Sequence, residues 1–184
     1  MEITRRGLLW SASAGVLGAQ TAKKTAAAPK TAAATKKAPF RISLPGGATV
    51  TTSQMVGNVC AVEVFKTTCP HCQKSMPLTE RTFKALGPQG FKAIGVAVDD
   101  NAEPLVKDFS QKYGITFPLG WAKIDDICAF LEETPEQLYV PQLVVLDKSG
   151  KVRGKYIGGD PFFNMEEQNL RNLVEMLLKE PRKS

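Results

Sequence analysis

The chain has 184 residues, the length of one domain with a tail, and 43% of them are hydrophobic while 23% are charged. This is ordinary usage for a protein that folds around its own core, so no disulfide scaffold is needed. The net charge of +6 includes five lysines between residues 23 and 37, and no basic stripe with interleaved aromatic residues follows them. The composition therefore argues against a nucleic-acid partner.

Residues 1–19 have the pattern of an export signal. Arg5 and Arg6 precede a mildly apolar run, and Thr4–Leu9 resembles the twin-arginine pattern of bacteria, although an ordinary secretory signal starts in a similar way. The apolar run is shorter than the roughly 20 residues of a membrane span. We expect a bacterial protein of the periplasm or cell envelope. The sequence leaves open whether the signal is cleaved or stays as a membrane anchor.

The folded part is predicted to begin after a linker. Residues 20–39 are mainly Ala, Lys, Thr and Pro without apolar periodicity, which predicts a disordered tether ahead of a domain at 40–184. The domain opens with alternating residues at 40–44, a turn at Pro45–Gly47 and a returning segment at 48–52. This pattern predicts a β-hairpin.

A buried strand, a helix and another buried strand are predicted next. The nearly continuous apolar run Val59–Lys66 is typical of a central strand covered on both faces. A helix is predicted over 70–86, directly after that strand, and Pro77 is expected to kink it. The segment 91–98 predicts the second buried strand.

The second half of the domain alternates helices and strands. Helices are predicted over 102–113 and 123–133, where apolar side chains recur at helical spacing. Strands at 142–147 and 152–157 flank a Lys-Ser-Gly-Lys turn, which predicts a hairpin.

The last element is predicted to be a helix that begins at Asn164, with Glu167 completing a capping box. The element order is therefore hairpin, strand, helix, strand, two helices, hairpin and helix. Such an order predicts an α/β domain with a mixed sheet covered by helices on both faces.

A Cys-x-x-Cys motif carries the predicted chemistry. Cys69 follows a strand and precedes a helix, where unpaired N–H groups and the helix dipole stabilise a thiolate nucleophile. Cys72 lies one helical turn later and can attack a mixed disulfide formed at Cys69. Pro70 suits the first helical turn, and His71 adds a hydrogen-bond donor, with a positive charge when protonated, beside the thiolate.

The motif has two other interpretations, a zinc site and a structural disulfide. A zinc site needs two more ligands, but Cys60 and Cys128 are lone cysteines in apolar segments and the sequence has one histidine. We therefore predict no metal and interpret Cys60 and Cys128 as core residues, with a disulfide between them left open. The other interpretation is a purely structural disulfide between Cys69 and Cys72.

Residues 40–180 resemble the TlpA/ResA-like branch of the thioredoxin superfamily, which borders the AhpC/TSA-like peroxiredoxins. The resemblance rests on Phe65 and Pro77 around the Cys-Pro-His-Cys motif, and on the segments 95–100, 113–118, 140–141 and 146–151. It implies a thioredoxin-like three-layer α/β/α fold with an N-terminal β-hairpin and a helical insertion before the cis-proline strand. It also implies a redox disulfide between Cys69 and Cys72, without a cofactor.

The resemblance also assigns substrate-binding positions. Pro141 aligns with the family's cis-proline, which faces the redox pair and presents backbone to an incoming substrate strand. Val140 precedes that proline, and Pro70 lies within the motif, so both are expected to contact substrate. An ordinary edge-strand proline is the alternative for Pro141.

A further catalytic role is implied for Glu63, which lies six residues before Cys69, where thioredoxins carry a buried acid. Burial raises the pKa of a carboxyl toward neutrality, so Glu63 could move a proton to or from Cys72. The alternative is a glutamate at a strand end that is partly solvated or paired to a lysine.

The leading functional hypothesis is a thiol–disulfide oxidoreductase that reduces or exchanges disulfides of exported proteins, with a membrane thiol electron donor as a further partner. The Pro-His dipeptide is the one found in DsbA, so a disulfide oxidant is the first alternative. A thiol peroxidase is the second, but Val62 and Lys66 stand where peroxiredoxins have proline and threonine. A copper chaperone would need a wider cysteine spacing and a distant histidine.

The sequence departs from the resembled family at two positions. Thr68 stands where many relatives have tryptophan before the first cysteine, and Ser75 stands where ResA-like proteins carry an acid. The second departure argues against a dedicated role in cytochrome c maturation.

Overall fold

A mixed sheet of seven strands organises residues 39–181, the part of the chain that the computed structural model describes. The predicted signal and the predicted tether up to residue 38 lie outside this part. The strands are β1 (Arg41–Ser43), β2 (Thr49–Thr51), β3 (Val59–Phe65), β4 (Phe91–Ala97), β5 (Leu119–Trp121), β6 (Gln142–Leu146) and β7 (Val152–Ile157).

Four α-helices accompany the sheet in the described residues: α1 (Pro70–Leu86), α2 (Ala102–Tyr113), α3 (Ile124–Leu131) and α4 (Glu166–Lys179). The strand order is β2-β1-β5-β4-β3-β6-β7. β3 runs parallel to β4 and antiparallel to β6, and both hairpins predicted from the sequence are present. No helix of the described part is long and apolar enough to cross a membrane.

The central strand β3 is buried along its whole length, as its apolar run predicts. Because side chains alternate across a strand, its residues divide between two layers. Val59, Ala61 and Phe65 pack with apolar side chains of α1, α2 and α4, whereas Val62 and Val64 pack with those of α3. The predicted three-layer α/β/α architecture is confirmed, and Glu63 falls on the side of α1 and α4.

The short strand β5 is absent from the sequence prediction. It runs parallel to β4 and contacts β1 through the antiparallel pair Ser43 and Trp121, so it joins the N-terminal hairpin to the main sheet. Three residues with a glycine in the middle show no alternation of apolar and polar side chains. The strand forms because Gly120, which has no Cβ, lets the backbone of Ser43 approach closely. A pattern of three residues does not predict this contact.

The predicted start of the last helix is wrong. Residues 161–165 form a 3-10 turn that begins at Asp160, whose Oδ1 accepts a hydrogen bond from the Phe162 N–H at 2.9 Å. Helix α4 then begins at Glu166 rather than Asn164. The side chain of Glu167 does not complete a capping box but binds Arg81 on α1, with N–O distances of 2.8 and 2.9 Å. Asp160 followed by proline is the stronger start signal, because proline suits the first helical position.

Candidate active site

Cys69 lies at the junction of β3 and α1, as the sequence predicts. It is the residue before the first helical turn, with extended backbone angles of φ −78° and ψ 119°, and Pro70 occupies the first helical position. Its side chain is half-buried, whereas His71 and Pro70 are exposed. The nucleophile predicted from the motif is therefore accessible at a helix N-terminus, where N–H groups without intrahelical partners point outward.

A hydrogen-bonded loop fixes the approach to Cys69. The carboxylate of Asp99 accepts hydrogen bonds from the Thr67 N–H at 2.8 Å and from the Thr67 hydroxyl at 2.7 Å. The side-chain amide of Gln73 donates to the carbonyl of Thr67 at 2.9 Å. Sequence reasoning gave Thr67 and Asp99 no role. Their positions in the sequence, just after β3 and β4, indicate that they lie close together, because adjacent parallel strands end at the same edge of the sheet.

Cys72 lies one turn into α1 and is completely buried. Burial raises the pKa of the Cys72 thiol well above its usual value; a backbone hydrogen bond with Lys66 opposes this rise, and the neighbouring Cys69 and Glu63 add to it. Both cysteines are free thiols, so the structure describes the dithiol form. The Cys72 thiol therefore needs a base before it can act as a nucleophile.

The Val140–Pro141 peptide bond is cis, which is the geometry that the resemblance implies. The carbonyl oxygen of Val140 lies 3.9 Å from Sγ of Cys69. Gly158 leaves room behind this bond, because a Cβ at that position would lie 3.2 Å from the same carbonyl oxygen. The loop that carries the expected substrate-binding residues thus faces the motif.

Glu63 is fully buried on β3. One carboxyl oxygen accepts a hydrogen bond from the Thr79 hydroxyl at 2.7 Å, and the other lies 2.5 Å from Oγ of Ser75. Burial raises the pKa of Glu63 to about 7, although these hydroxyl contacts lower it. The alternative of a glutamate that is partly solvated or paired to a lysine is wrong, because Glu63 is fully buried and forms no ion pair with a lysine within residues 39–181.

Glu166 is a second buried acid that sequence reasoning missed. It is the first residue of α4, its side chain is 4% exposed, and its Oε1 also lies 2.5 Å from Oγ of Ser75. Burial, together with the nearby charge of Glu63, raises the pKa of Glu166 to about 8. A glutamate in the first turn of a helix is common for dipole reasons, so the sequence held no signal that this one points inward.

A cavity of about 380 Å³ lies beside the motif. The residues that line it include His71, Pro141, Ser75 and Glu166, together with Lys74 and Asp160. Glu166 thus lines this cavity directly, and Glu63 contacts Ser75, which lines it too.

The remaining cysteines are core residues, as predicted. Cys60 is 1% exposed and its Sγ lies 2.9 Å from Sδ of Met55, while Cys128 is 4% exposed on α3. Both are free, so the disulfide between them that the sequence left open is not formed. Burial raises the pKa of Cys60 to about 12, which makes its thiol unreactive. Within residues 39–181, no cluster of three His, Cys, Asp or Glu side chains could hold a metal ion.

Comparison with protein-family models shows the family to which the chain belongs. Residues 30–174 match the family model described as Redoxin. The chain belongs to the Redoxin family. This redoxin is a member of the TlpA/ResA-like part of the thioredoxin superfamily, and it is an enzyme of the thiol–disulfide oxidoreductase class.

Curated relatives of this redoxin carry the name thiol-disulfide oxidoreductase ResA. The protein of that name from Halalkalibacterium halodurans is 23% identical over 134 residues, which cover 73% of this chain and 70% of the relative. The one from Bacillus cereus is 27% identical over 124 residues, covering 67% of this chain and 69% of the relative.

Solved structures show the same fold. A thiol:disulfide interchange protein of the thioredoxin family from Chlorobium tepidum superposes with a TM-score of 0.65 at 26% identity, covering 84% of this redoxin and 99% of that chain. A putative protein disulfide isomerase from Bacteroides thetaiotaomicron gives a TM-score of 0.69 at 24% identity, covering 83% and 93%. The fold expected from the resemblance is confirmed.

Proposed function

We propose that this redoxin reduces or exchanges disulfide bonds of exported proteins through Cys69 and Cys72. The observation that carries the proposal is the pairing of a half-buried cysteine at the N-terminus of α1 with a fully buried cysteine one turn later. In such a pair, the half-buried thiol of Cys69 attacks the substrate disulfide, and the fully buried thiol of Cys72 attacks only the mixed disulfide at Cys69. Exchange of thiols and disulfides needs both steps.

In the first step, the Cys69 thiolate attacks one sulfur of a substrate disulfide. The substrate sulfur–sulfur bond breaks, the leaving sulfur takes up a proton, and Cys69 is held in a mixed disulfide. In the second step, Cys72 loses its proton and attacks Sγ of Cys69, which releases the second substrate sulfur as a thiol. Two electrons pass from the protein dithiol to the substrate, and the Cys69–Cys72 disulfide is formed.

Glu63 is the base proposed for the second step. Its charge acts on the Cys72 thiol, and burial raises the pKa of Glu63 to about 7, which suits proton transfer near neutral pH. Val140 and Pro141 are proposed to hold the substrate backbone, because the Val140 carbonyl lies 3.9 Å from the attacking sulfur. Pro70 and His71 are exposed next to Cys69 and complete the contact surface.

The proposed location is the periplasm or cell envelope of a bacterium, supported by the twin-arginine pattern at residues 4–9 and by the oxidising character of such compartments. Oxidised enzyme would be reduced again by a membrane thiol donor. A disulfide oxidant of the DsbA kind is the second candidate, favoured by the exposed His71 beside Cys69. The peroxidase alternative lacks the residues of a peroxide site, because Val62 and Lys66 stand where peroxiredoxins have proline and threonine.

The decisive experiment is the reduction of insulin disulfides with dithiothreitol as electron source. Cys69→Ser is expected to lose the activity, and Cys72→Ser to accumulate a mixed disulfide that non-reducing electrophoresis resolves. Cys128→Ser is the matched control, since that cysteine is buried on α3, whose apolar side chains pack on the face of the sheet opposite Cys72, and should leave turnover unchanged. Full activity of Cys69→Ser would refute the proposal.

The direction of electron flow is set by the reduction potential of the Cys69–Cys72 pair, measured at equilibrium with glutathione or dithiothreitol. A value near that of thioredoxin, about −270 mV, supports the reductase. A value near that of DsbA, about −120 mV, supports the oxidant.

A further inference from the structure

The hydroxyl of Ser75 lies between two carboxyl groups. Its Oγ is 2.5 Å from Oε1 of Glu63 on β3 and 2.5 Å from Oε1 of Glu166 on α4. A serine hydroxyl has a single hydrogen to donate, so it can donate to only one of these two oxygens. The second short contact is a hydrogen bond only if the other carboxyl is protonated and donates to Oγ. The geometry therefore requires one proton on the pair of acids.

Burial explains why the pair keeps that proton. Glu63 is fully buried and Glu166 is 4% exposed, and within residues 39–181 no lysine or arginine forms an ion pair with either carboxylate. Two ionised carboxylates that share one hydroxyl repel each other and lack solvation. Burial raises the pKa of both carboxyl groups, which favours one shared proton over two ionised carboxylates.

The two acids face different surroundings. The charge of Glu63 acts on the Cys72 thiol inside the protein, whereas Glu166 lines the 380 Å³ cavity beside the motif. The titratable groups that share this cavity with Glu166 are His71 and Lys74 on α1 and Asp160 before α4. Glu166 also lines a second cavity, of about 360 Å³, with the side chains of Glu167 and Arg171, each of which forms an ion pair. Glu63 faces Glu166 through Ser75.

We propose that Glu166 is a positioning residue that shares one proton with Glu63 through Ser75 and connects this buried base to the solvent of the cavity. The proposal rests on the proposed role of Glu63 as the base for Cys72. It adds a route by which the proton leaves after the resolving step.

The proton balance of this route follows from the hydrogen bonds. Before the step, Glu166 carries the shared proton and donates to Oγ of Ser75, which donates its own hydrogen to ionised Glu63. Glu63 then takes the proton of Cys72, and Glu166 releases its proton to solvent in the cavity. A shift of hydrogens through the Ser75 hydroxyl moves the proton from Glu63 to Glu166 and restores the starting state.

Infrared spectroscopy tests the shared proton without reference to activity. The full chain at pH 7 is expected to show a protonated-carboxyl band that the double variant Glu63→Gln/Glu166→Gln lacks. The band should weaken in Glu166→Gln, because this variant lacks the carboxyl group that carries the shared proton. Glu167→Gln is the matched control, since that side chain binds Arg81 and should leave the band unchanged. A band that persists in the double variant would overturn the proposal.

The pH profile of insulin reduction tests the link to Cys72. In Glu166→Gln the rate at pH 7 is expected to fall by roughly tenfold, because the proton that Glu63 takes from Cys72 then has no acid through which it reaches the cavity. Profiles of Glu166→Gln and Glu167→Gln that coincide with the wild type would overturn the relay. Loss of insulin reduction in the wild type would refute the proposed function instead, and the infrared result would still decide whether the proton is shared.

Ser75→Ala separates the relay from the mere presence of two acids. It removes the bridging hydroxyl and should slow the resolving step at least tenfold at pH 7, measured by decay of the mixed disulfide. Alkylation of Cys69 by iodoacetamide should keep its rate, because Ser75 does not contact that thiol. An unchanged resolving rate in a folded Ser75→Ala protein would contradict the relay.

Discussion

The two cysteines of the motif lie three residues apart in different environments. Cys69 is half-buried at the end of β3, whereas Cys72 is completely buried and its thiol has a raised pKa. Cys60 and Cys128 are buried as well. A reagent in solution therefore has access to one of the four thiols, that of Cys69.

This asymmetry predicts selective alkylation of the reduced protein. Brief treatment with iodoacetamide should add one group to the folded chain, at Cys69, because thiolate character and exposure decide reactivity. Peptide mass spectrometry gives the position, and the same treatment after denaturation, where all four cysteines react, is the control. Modification of Cys72 ahead of Cys69 would show that the roles are reversed.

Burial of Glu63 also predicts a pH-dependent stability. Its pKa is raised in the folded state to about 7, above that of an unfolded glutamate, so the folded protein binds this proton more tightly. Stability is therefore highest below the unfolded pKa and falls as the pH rises toward 7, by up to about 3 kcal/mol. Glu63→Gln should remove this fall and be more stable than the wild type at pH 8, with no such gain near pH 4.5.

Denaturant unfolding at several pH values measures the effect. Glu175→Gln is the control, because that exposed side chain binds Arg171 on the same helix face, and surface pairs contribute little to stability. A Glu63→Gln curve parallel to that of the wild type between pH 5 and 8 would mean that Glu63 is ionised in the folded protein throughout.

At the scale of elements, the N-terminal hairpin depends on one close backbone contact. β1 joins the main sheet through β5, and a Cβ at Gly120 would collide with the carbonyl oxygen of Ser43 and lie 2.8 Å from Cγ2 of Ile42. Gly120→Ala should therefore separate the two strands and lower the free energy of unfolding by roughly 1–3 kcal/mol.

Gly87→Ala is the matched control for this substitution. Gly87 has helical backbone angles of φ −52° and ψ −48°, and a Cβ there would meet nothing closer than 3.8 Å. The control should change the stability by no more than about 1 kcal/mol, because Pro88 disfavours helical angles for a preceding residue with a Cβ, whereas loss of a glycine lowers the entropy of the unfolded chain. Equal stability of Gly120→Ala and Gly87→Ala in urea unfolding would show that the hairpin tolerates a wider strand spacing.

The sequence predicts those elements whose own side chains specify them. The apolar run of β3, the helical spacing in α2 and α3, and the turn residues of both hairpins lie within single segments, and the structure confirms them. The sequence does not predict elements whose position depends on contacts with distant parts of the chain. β5 exists because Gly120 accepts the backbone of β1, and the start of α4 is set by Asp160 and Pro161 rather than by Asn164.

The same distinction applies to the site. The motif fixes the placement of Cys69 and Cys72 locally, and the resemblance identifies Glu63 and the cis peptide bond before Pro141. Glu166 is missed because its role comes from a contact with Ser75, 91 residues earlier in the chain. A glutamate that caps a helix and a glutamate that faces a buried hydroxyl have the same local pattern.

At the scale of the whole molecule, both apolar layers are built from side chains between residues 40 and 177 of the described part. Phe40 and Ile42 are the first of these, with 4% and 0% exposure, and the ring of Phe40 stacks on Phe130 at 4.6 Å between centroids. Every strand of the sheet and α1 to α4 are complete by residue 179. β1 and the residue before it therefore supply two buried side chains to the apolar layer that α3 covers.

Residues 20–38 are mainly Ala, Lys and Thr without apolar periodicity, so a chain that starts at residue 39 should melt at the temperature of the full chain and reduce insulin at the same rate. A chain that starts at residue 45 is the matched control. It lacks β1 with Phe40 and Ile42, and loss of a buried side chain of this size costs about 2–5 kcal/mol. Its melting temperature should therefore fall steeply. A drop of the same size in the chain from residue 39 would mean that the preceding 38 residues contribute to the folded domain.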